Sequence, residues 1–282
     1  MQFITQNGAH VGPIGQGTWY LGEKPHLFQQ ELSALRAGID AGMNLIDTAE
    51  MYGGGAAEEL VGEAIRGYDR DGLYLVSKVL PHNAGRKNIF QSCENSLRRM
   101  NTDYMDLYLL HWRGSVPFAE TAECMEELKG RGLIRDWGVS NLDADDMEEL
   151  FRVPEGKNCR TDQVLYHLGS RGIEYDLLPL LQQRNVSVMA YCPLAQAGRL
   201  RRGLIESPVV QDIAQAHNAA PAQVLLAFLL SKPGVIPIPR TGKVNHTLEN
   251  AGAAQLALSP EDLAALDTAF PAPNLKTPLD MQ

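Results

Sequence analysis

Residues 106–112, "DLYLLHW", are apolar on both alternating faces of an extended chain until they reach His111 and Trp112. A strand with one wet face alternates apolar and polar residues. A strand covered on both sides runs almost unbroken in large apolar residues, as parallel strands under helices do. The run "SVMAYCP" at 187–193 has the same character. Stretches with helical apolar spacing flank the first run, at 86–100 and 119–130.

Working outward, the same alternation covers the chain. "FITQNGAHV" at 3–11 reads as a hairpin turning at Asn7-Gly8. "IGQGT" (14–18) then precedes a helix over 26–42, "NLIDTA" (44–49) one over 57–66, and "LYLVSKV" (73–79) the helix over 86–100. "IRDWGVS" (134–140) precedes a helix over 144–151, and "TDQVLYH" (161–167) one over 175–183. "SVMAYCP" leads through a loop to helices from about 207 to 230, and "GVIPIP" (234–239) to a helix over 245–252. "SPEDLAALDTAF" (259–270) is a last helix, opening with a capping box between Ser259 and Asp262.

With "DLYLLHW" and its helix at 119–130, the count is eight strands, each followed by helix, within 282 residues. That number fits a closed (β/α)8 TIM barrel spanning 1–282 as a single domain, with an N-terminal β-hairpin and a short C-terminal helix and tail. A doubly wound sheet usually has fewer strands and a G-x-G-x-x-G turn after one of them. "GPIGQG" at 12–17 precedes its strand and lacks the third spacing.

Composition excludes several classes. Hydrophobic residues make up 44% and charged ones 21%, ample for a large core and unlike a disordered chain. A net charge of -9 argues against a nucleic-acid surface, and "RLRR" at 199–202, the densest basic cluster, suits a solvated face or an anion contact. The four cysteines show no CxxC pair and no histidine at metal spacing, so they read as reduced thiols with no metal site. With no signal peptide and no apolar run near ~20 residues, a cytoplasmic protein away from membranes is expected.

In a barrel, chemistry gathers at the C-terminal ends of the strands and the loops that follow. There stand Trp19 and Tyr20, Asp47 and Tyr52, Lys78, His111 and Trp112, Ser140 and Asn141, Gln163, Tyr191 and Arg240. Taken singly, Lys78 is a strand end reaching for water, His111 a core histidine, and Ser140-Asn141 a helix cap. Together they suit a proton donor. Tyr52 needs a cation to act as an acid near neutral pH, Lys78 can supply it, Asp47 can hold Lys78, and His111 can orient a carbonyl.

On these residues the sequence resembles the aldo-keto reductases. "GMNLIDTAEMYG" (42–53) is similar to the family's signature around its catalytic acid and tyrosine, "LVSKV" to its lysine strand and "DLYLLHW" to its histidine strand. "GVSNL" (138–142) resembles its nicotinamide-contacting turn, and "IPIPRTGKVNHTLEN" (236–250) its adenosine-phosphate segment. The resemblance spans nearly the whole chain in the family's order. It implies Tyr52 as proton donor, Lys78 and Asp47 as the groups tuning it, and His111 as the orienting residue. Ser140, Asn141 and Gln163 would bind the nicotinamide carboxamide and Tyr191 would stack on the ring. Gly17, Thr18 and Asp47 would touch the cofactor, Leu194 and its neighbours would follow the pyrophosphate, and Arg240, Thr241, His246 and Asn250 would hold the adenosine phosphate.

Three positions depart from the family's pattern. Gly53, Gly54 and Gly55 lengthen the loop after Tyr52 and leave it free to move, Arg240 replaces a frequent lysine, and His246 replaces a common arginine. Arg240, Thr241 and Lys243 remain as a 2'-phosphate nest, so NADPH is the expected cofactor, with NADH possible. Trp19, His82, His111 and Trp112 would form an aromatic, partly polar substrate mouth under a short tail, suited to small 2-oxoaldehydes such as methylglyoxal and to aromatic aldehydes. A monomer is expected, its partner a small carbonyl substrate and not nucleic acid or membrane. Sugar or diketo-acid reduction, or a cofactor-binding barrel serving as a non-catalytic partner subunit, are the alternatives. A phosphate-binding isomerase or lyase with a Schiff-base Lys78 is a third.

Overall fold

The computed structural model describes residues 3–4, 10–196 and 198–282. Strands β1 (Phe3–Ile4) and β2 (His10–Val11) form a small antiparallel pair, with Phe3 opposite Val11. The expected turn at Asn7-Gly8 lies outside the described residues.

Eight further strands form one parallel sheet: β3 (Gln16–Gly17), β4 (Leu45–Asp47), β5 (Tyr74–Val79), β6 (Met105–Leu110), β7 (Ile134–Ser140), β8 (Thr161–Leu165), β9 (Ser187–Tyr191) and β10 (Val235–Pro237). Their spatial order is their chain order. The ends meet: Gly17 bridges Arg240 in parallel, and the amides of Gly15 and Gly17 donate to the carbonyls of Pro237 at 3.0 Å and Pro239 at 3.1 Å. The sheet is therefore a closed barrel. At this seam a Cβ on Gly17 would lie 3.0 Å from the Ile238 carbonyl oxygen, so the close approach favours glycine.

Helices α1 (Phe28–Asp40), α2 (Ala56–Ile65), α3 (Ile89–Met100), α4 (Phe118–Gly130), α5 (Ala144–Arg152) and α6 (Leu177–Gln183) each follow one of β3 to β8. After β9 come α7 (Arg199–Ile205), α8 (Pro208–Ala216) and α9 (Pro221–Leu230), and after β10 come α10 (Val244–Gly252) and α11 (Pro260–Ala269). In α3 the buried Ile89, Cys93, Ser96, Leu97 and Met100 form one stripe at helical spacing, and Asn101 ends the helix at φ 51°. α11 opens on the expected capping box, with the Asp262 amide donating to Ser259 Oγ at 3.1 Å and the Ser259 amide to Asp262 Oδ2 at 2.8 Å.

Period-two alternation sorts each strand between two cores. Leu45, Tyr74, Val76, Leu107, Leu109, Met189 and Ile236 pack inside the barrel. Ile46, Leu75, Val79, Tyr108 and Leu110 pack outward beneath the helices. This alternation decides which residue of each strand reaches the mouth.

The structure corrects three expectations of the sequence. The strand expected over 14–18 is shortened to Gln16–Gly17, and the loop expected before residue 207 contains α7. The helix expected from residue 26 begins as a 3-10 turn at Pro25–Leu27, because Pro25 opens a tight turn before α1. No single helix among the described residues is long and apolar enough to cross a membrane.

Candidate active site

The strand positions in phase with the inward apolar residues supply the site. Asp47 follows Leu45 by two, Lys78 follows Val76, His111 follows Leu109, and Tyr191 follows Met189. Lys78 is fully buried and Asp47 almost so. The Lys78 ammonium donates to Asp47 Oδ1 at 2.8 Å and Oδ2 at 2.9 Å, to the Thr48 carbonyl at 2.8 Å, and to the Tyr52 hydroxyl at 3.1 Å. Its three N–H bonds are thus taken by a carboxylate, a carbonyl and a phenol. Burial pushes Asp47 up and Lys78 down, and the charge of each partner opposes the shift. Gln163 Nε2 adds a bond to Asp47 Oδ1 at 2.7 Å.

Tyr52 is buried at the end of the loop after β4. The lengthened loop there folds into a turn over Tyr52–Gly55, with Gly53, Gly54 and Gly55 at φ 57°, 62° and 102°. All three lie in the left-handed region that L side chains rarely adopt, so the glycines are what lets the turn hold its shape. The electrostatics of Tyr52 differ from expectation. Burial, followed by the Asp47 charge, pushes its phenol well above the ordinary value, so it keeps its proton at neutral pH. Since its oxygen accepts from Lys78, its own O–H is left to point elsewhere, and Tyr52 lines the cavity.

His111 meets the Tyr52 ring edge-on, 5.7 Å between centroids. Burial, then the nearby Lys78 charge, push its imidazole down to about 2, so it is neutral across the working range. Its Nδ1 is enclosed without a partner, which leaves Nε2 to address the cavity.

The cavity holds about 640 Å³, and Asp47, Tyr52, His111, Trp19 and Trp112 line it. Ser140, Asn141, Gln163 and Tyr191 form its other side. These are already interlocked: Ser140 Oγ donates to the Gln163 carbonyl at 2.7 Å, Asn141 Nδ2 to the His111 carbonyl at 3.2 Å, and the Tyr191 hydroxyl to Asn141 Oδ1 at 2.8 Å. Asn141 sits at φ 58°, a left-handed position that asparagine tolerates. A second space of about 420 Å³ contains Arg240, Thr241, Lys243, His246 and Asn250, and it shares Leu194, Arg201 and Arg240 with the first. Together they make a path from the buried acid to a basic groove.

Three candidates line neither space, the first of them Lys78, which is fully buried and reaches the site only through its bonds to Asp47 and Tyr52. His82 is exposed on the turn Pro81–Asn83 and does not line the cavity, because that turn carries it away from the mouth. Thr18 is fully buried, its Oγ1 donating to the Asp47 carbonyl at 2.9 Å, so it braces Asp47 from behind. Gly17 does line the cavity. Sequence reasoning missed Met51, Cys192, Met281 and Gln282 in the lining, and singled out Arg201 only as part of a basic cluster. The tail residues gave no local signal, since only the folded tail returns them to the mouth.

An eight-stranded closed barrel thus carries a buried, hydrogen-bonded Asp47-Lys78-Tyr52 cluster beside His111 at its strand ends. The chain belongs to the aldo-keto reductases: residues 13–270 match the profile of the "Aldo/keto reductase family". It is 58% identical to methylglyoxal reductase YeaE of Escherichia coli (strain K12) over 268 residues, 95% of this chain and 94% of that one. To glyoxal reductase of Bacillus subtilis (strain 168) it is 34% identical over 263 residues, 93% of this chain and 90% of that one. Among solved structures, an aldo/keto reductase from Klebsiella pneumoniae in complex with NADP and acetate superposes with a TM-score of 0.97 at 54% identity, covering 100% of this chain and 99% of that one.

Proposed function

We propose that this protein reduces small aldehydes, above all 2-oxoaldehydes such as methylglyoxal and also aromatic aldehydes, to alcohols with NADPH, and that Tyr52 gives the proton. The observation that carries this reading is the Tyr52 hydroxyl, which accepts from Lys78 at 3.1 Å and lines the cavity with its proton retained. The relatives' names, methylglyoxal reductase and glyoxal reductase, and the NADP of the Klebsiella structure support it.

The residues fit the cofactor. Ser140, Asn141 and Gln163 offer hydroxyl and amide groups suited to a neutral carboxamide, Tyr191 offers an aromatic face, and Arg201, Arg240 and Lys243 offer cations along the groove for phosphates. When bound, NADPH supplies the hydride for the carbonyl carbon. The chain's part is geometry and charge. His111, neutral, donates one hydrogen bond from Nε2 to the carbonyl oxygen and turns it toward Tyr52. As negative charge grows on that oxygen, Tyr52 releases its proton to it. The Lys78 ammonium, already on the phenol oxygen, stabilises the phenolate left behind, and Asp47 keeps Lys78 charged. Trp19 and Trp112 limit water around the reacting carbon.

The test is absorbance at 340 nm with NADPH and with NADH, each against methylglyoxal, an aromatic aldehyde and an aldose, for the native protein and Tyr52→Phe. The expected loss in Tyr52→Phe is about 10²- to 10⁴-fold in kcat. Near-normal turnover of that variant refutes the proton-donor role, and NADPH fluorescence quenching without any carbonyl-dependent oxidation refutes the reductase reading in favour of a binding barrel.

A further inference from the structure

The alternation that turns Lys78 toward Asp47 and Tyr52 turns its neighbour Ser77 outward beneath the helices, and there Ser77 meets an ion pair. Its Oγ donates to Glu58 Oε1 at 2.5 Å, and Arg99 Nε donates to Glu58 Oε2 at 2.5 Å. Glu58 is fully buried in the first turn of α2, where a carboxylate suits the positive end of the helix. Arg99 comes from the last turn of α3, and its Nη2 also donates to Ser96 Oγ at 3.3 Å.

The same Arg99 side chain lies against the glycine turn that follows Tyr52. A Cβ on Gly55 would fall 2.5 Å from Arg99 Cδ and 2.7 Å from Nε, so the Gly55 backbone rests directly on the stem of the guanidinium. Glu58 lies three residues past Gly55 and is tied to β5 one residue before Lys78. One buried carboxylate therefore joins the strand that carries Lys78 to the helix that begins where the Tyr52 turn ends.

We infer that Arg99, acting with Glu58 and Ser77, is the positioning residue that holds the Tyr52 hydroxyl on Lys78: it clamps the glycine turn from outside the barrel and touches neither substrate nor cofactor. The inference rests on the proton-donor reading of Tyr52. Three successive glycines have little stiffness of their own, and the clamp supplies it from the far side of the turn. A loss of alignment of about 1 Å at a reacting group can cost on the order of 10²-fold, so a loosened turn shows in turnover before it shows in cofactor binding.

The experiment is a double-mutant cycle: native protein, Arg99→Lys, Tyr52→Phe and the double variant, measured for kcat with methylglyoxal and for NADPH affinity by fluorescence quenching. Ser77→Ala, which removes one hydrogen bond from Glu58 and keeps the ion pair, runs beside them in case Arg99→Lys folds poorly. Expected is a fall in kcat of about tenfold for Arg99→Lys and a smaller fall for Ser77→Ala, with NADPH affinity unchanged and no further loss when either change joins Tyr52→Phe. Equal losses from these changes in both backgrounds, or an unchanged kcat in the Tyr52-containing proteins, overturn the inference while the full effect of Tyr52→Phe stands. A Tyr52→Phe variant of near-normal activity overturns the proton-donor reading, and this one with it.

Discussion

Acid stability gives a sharp test of the His111 environment. Burial first, and the Lys78 ammonium second, push the folded imidazole down to about 2, whereas in the unfolded chain it titrates near 6.5 as an ordinary histidine. Below about pH 6.5 the unfolded state takes up a proton that the folded state refuses, so stability falls as pH falls. The loss per pH unit approaches 1.36 kcal/mol, as this linkage dictates, and it stops growing only near the folded value. From pH 7 to pH 5 the His111 contribution is about 2 kcal/mol. His167, which burial pushes down to about 4, adds to the same window. The perturbation is His111→Gln, neutral and of similar bulk, and the assay is urea unfolding at pH 7 and pH 5 for both proteins. The variant is expected to lose about 2 kcal/mol less than the native protein between those pH values. Equal pH sensitivity in the two proteins would mean that folded His111 accepts its proton readily, and the neutral orienting imidazole would fall with that result.

Further outcomes follow from other contacts. Lys78→Met leaves the Asp47 carboxylate buried without its counter-charge and is expected to cost about 3–5 kcal/mol in urea unfolding, largely restored when Asp47→Asn is added. A loss that the second change does not relieve contradicts the ion-pair account. Arg240→Ala is expected to weaken NADPH binding at least about tenfold while sparing NADH, as read by fluorescence titration, if Arg240 meets a 2'-phosphate. Equal weakening of both cofactors removes that assignment. Ser259→Ala breaks the capping box of α11 and is expected to cost about 1 kcal/mol in urea unfolding, with turnover unchanged.

What could be read from the sequence follows a physical division. Asp47, Lys78 and His111 were legible because each ends an apolar run in phase with its inward residues, and period two is a local property. The barrel was legible because two-faced apolar strands recur between helical stretches. The state of Tyr52 was not, since its protonation depends on burial and on Asp47. Nor was the left-handed conformation of Gly53–Gly55, whose last residue lies against Arg99 from another helix. His82 was misplaced because a residue just past a strand end can turn outward as easily as inward. Met281 and Gln282 reach the cavity only through the path of the folded tail.

That tail is held by Leu279, which packs against the outer core, and by groups at the surface. Ser170 donates to Asp280, and Lys276 pairs with Asp145 at 2.7 Å and Asp176 at 3.5 Å across exposed side chains. Exposed pairs of this kind contribute at most about 1 kcal/mol each and weaken in salt, while the closed ladder beneath has no free edge to yield. The cavity therefore has a stiff floor and one compliant wall. Displacing that wall is expected to cost a small part of the stability of the whole and to leave the barrel undisturbed.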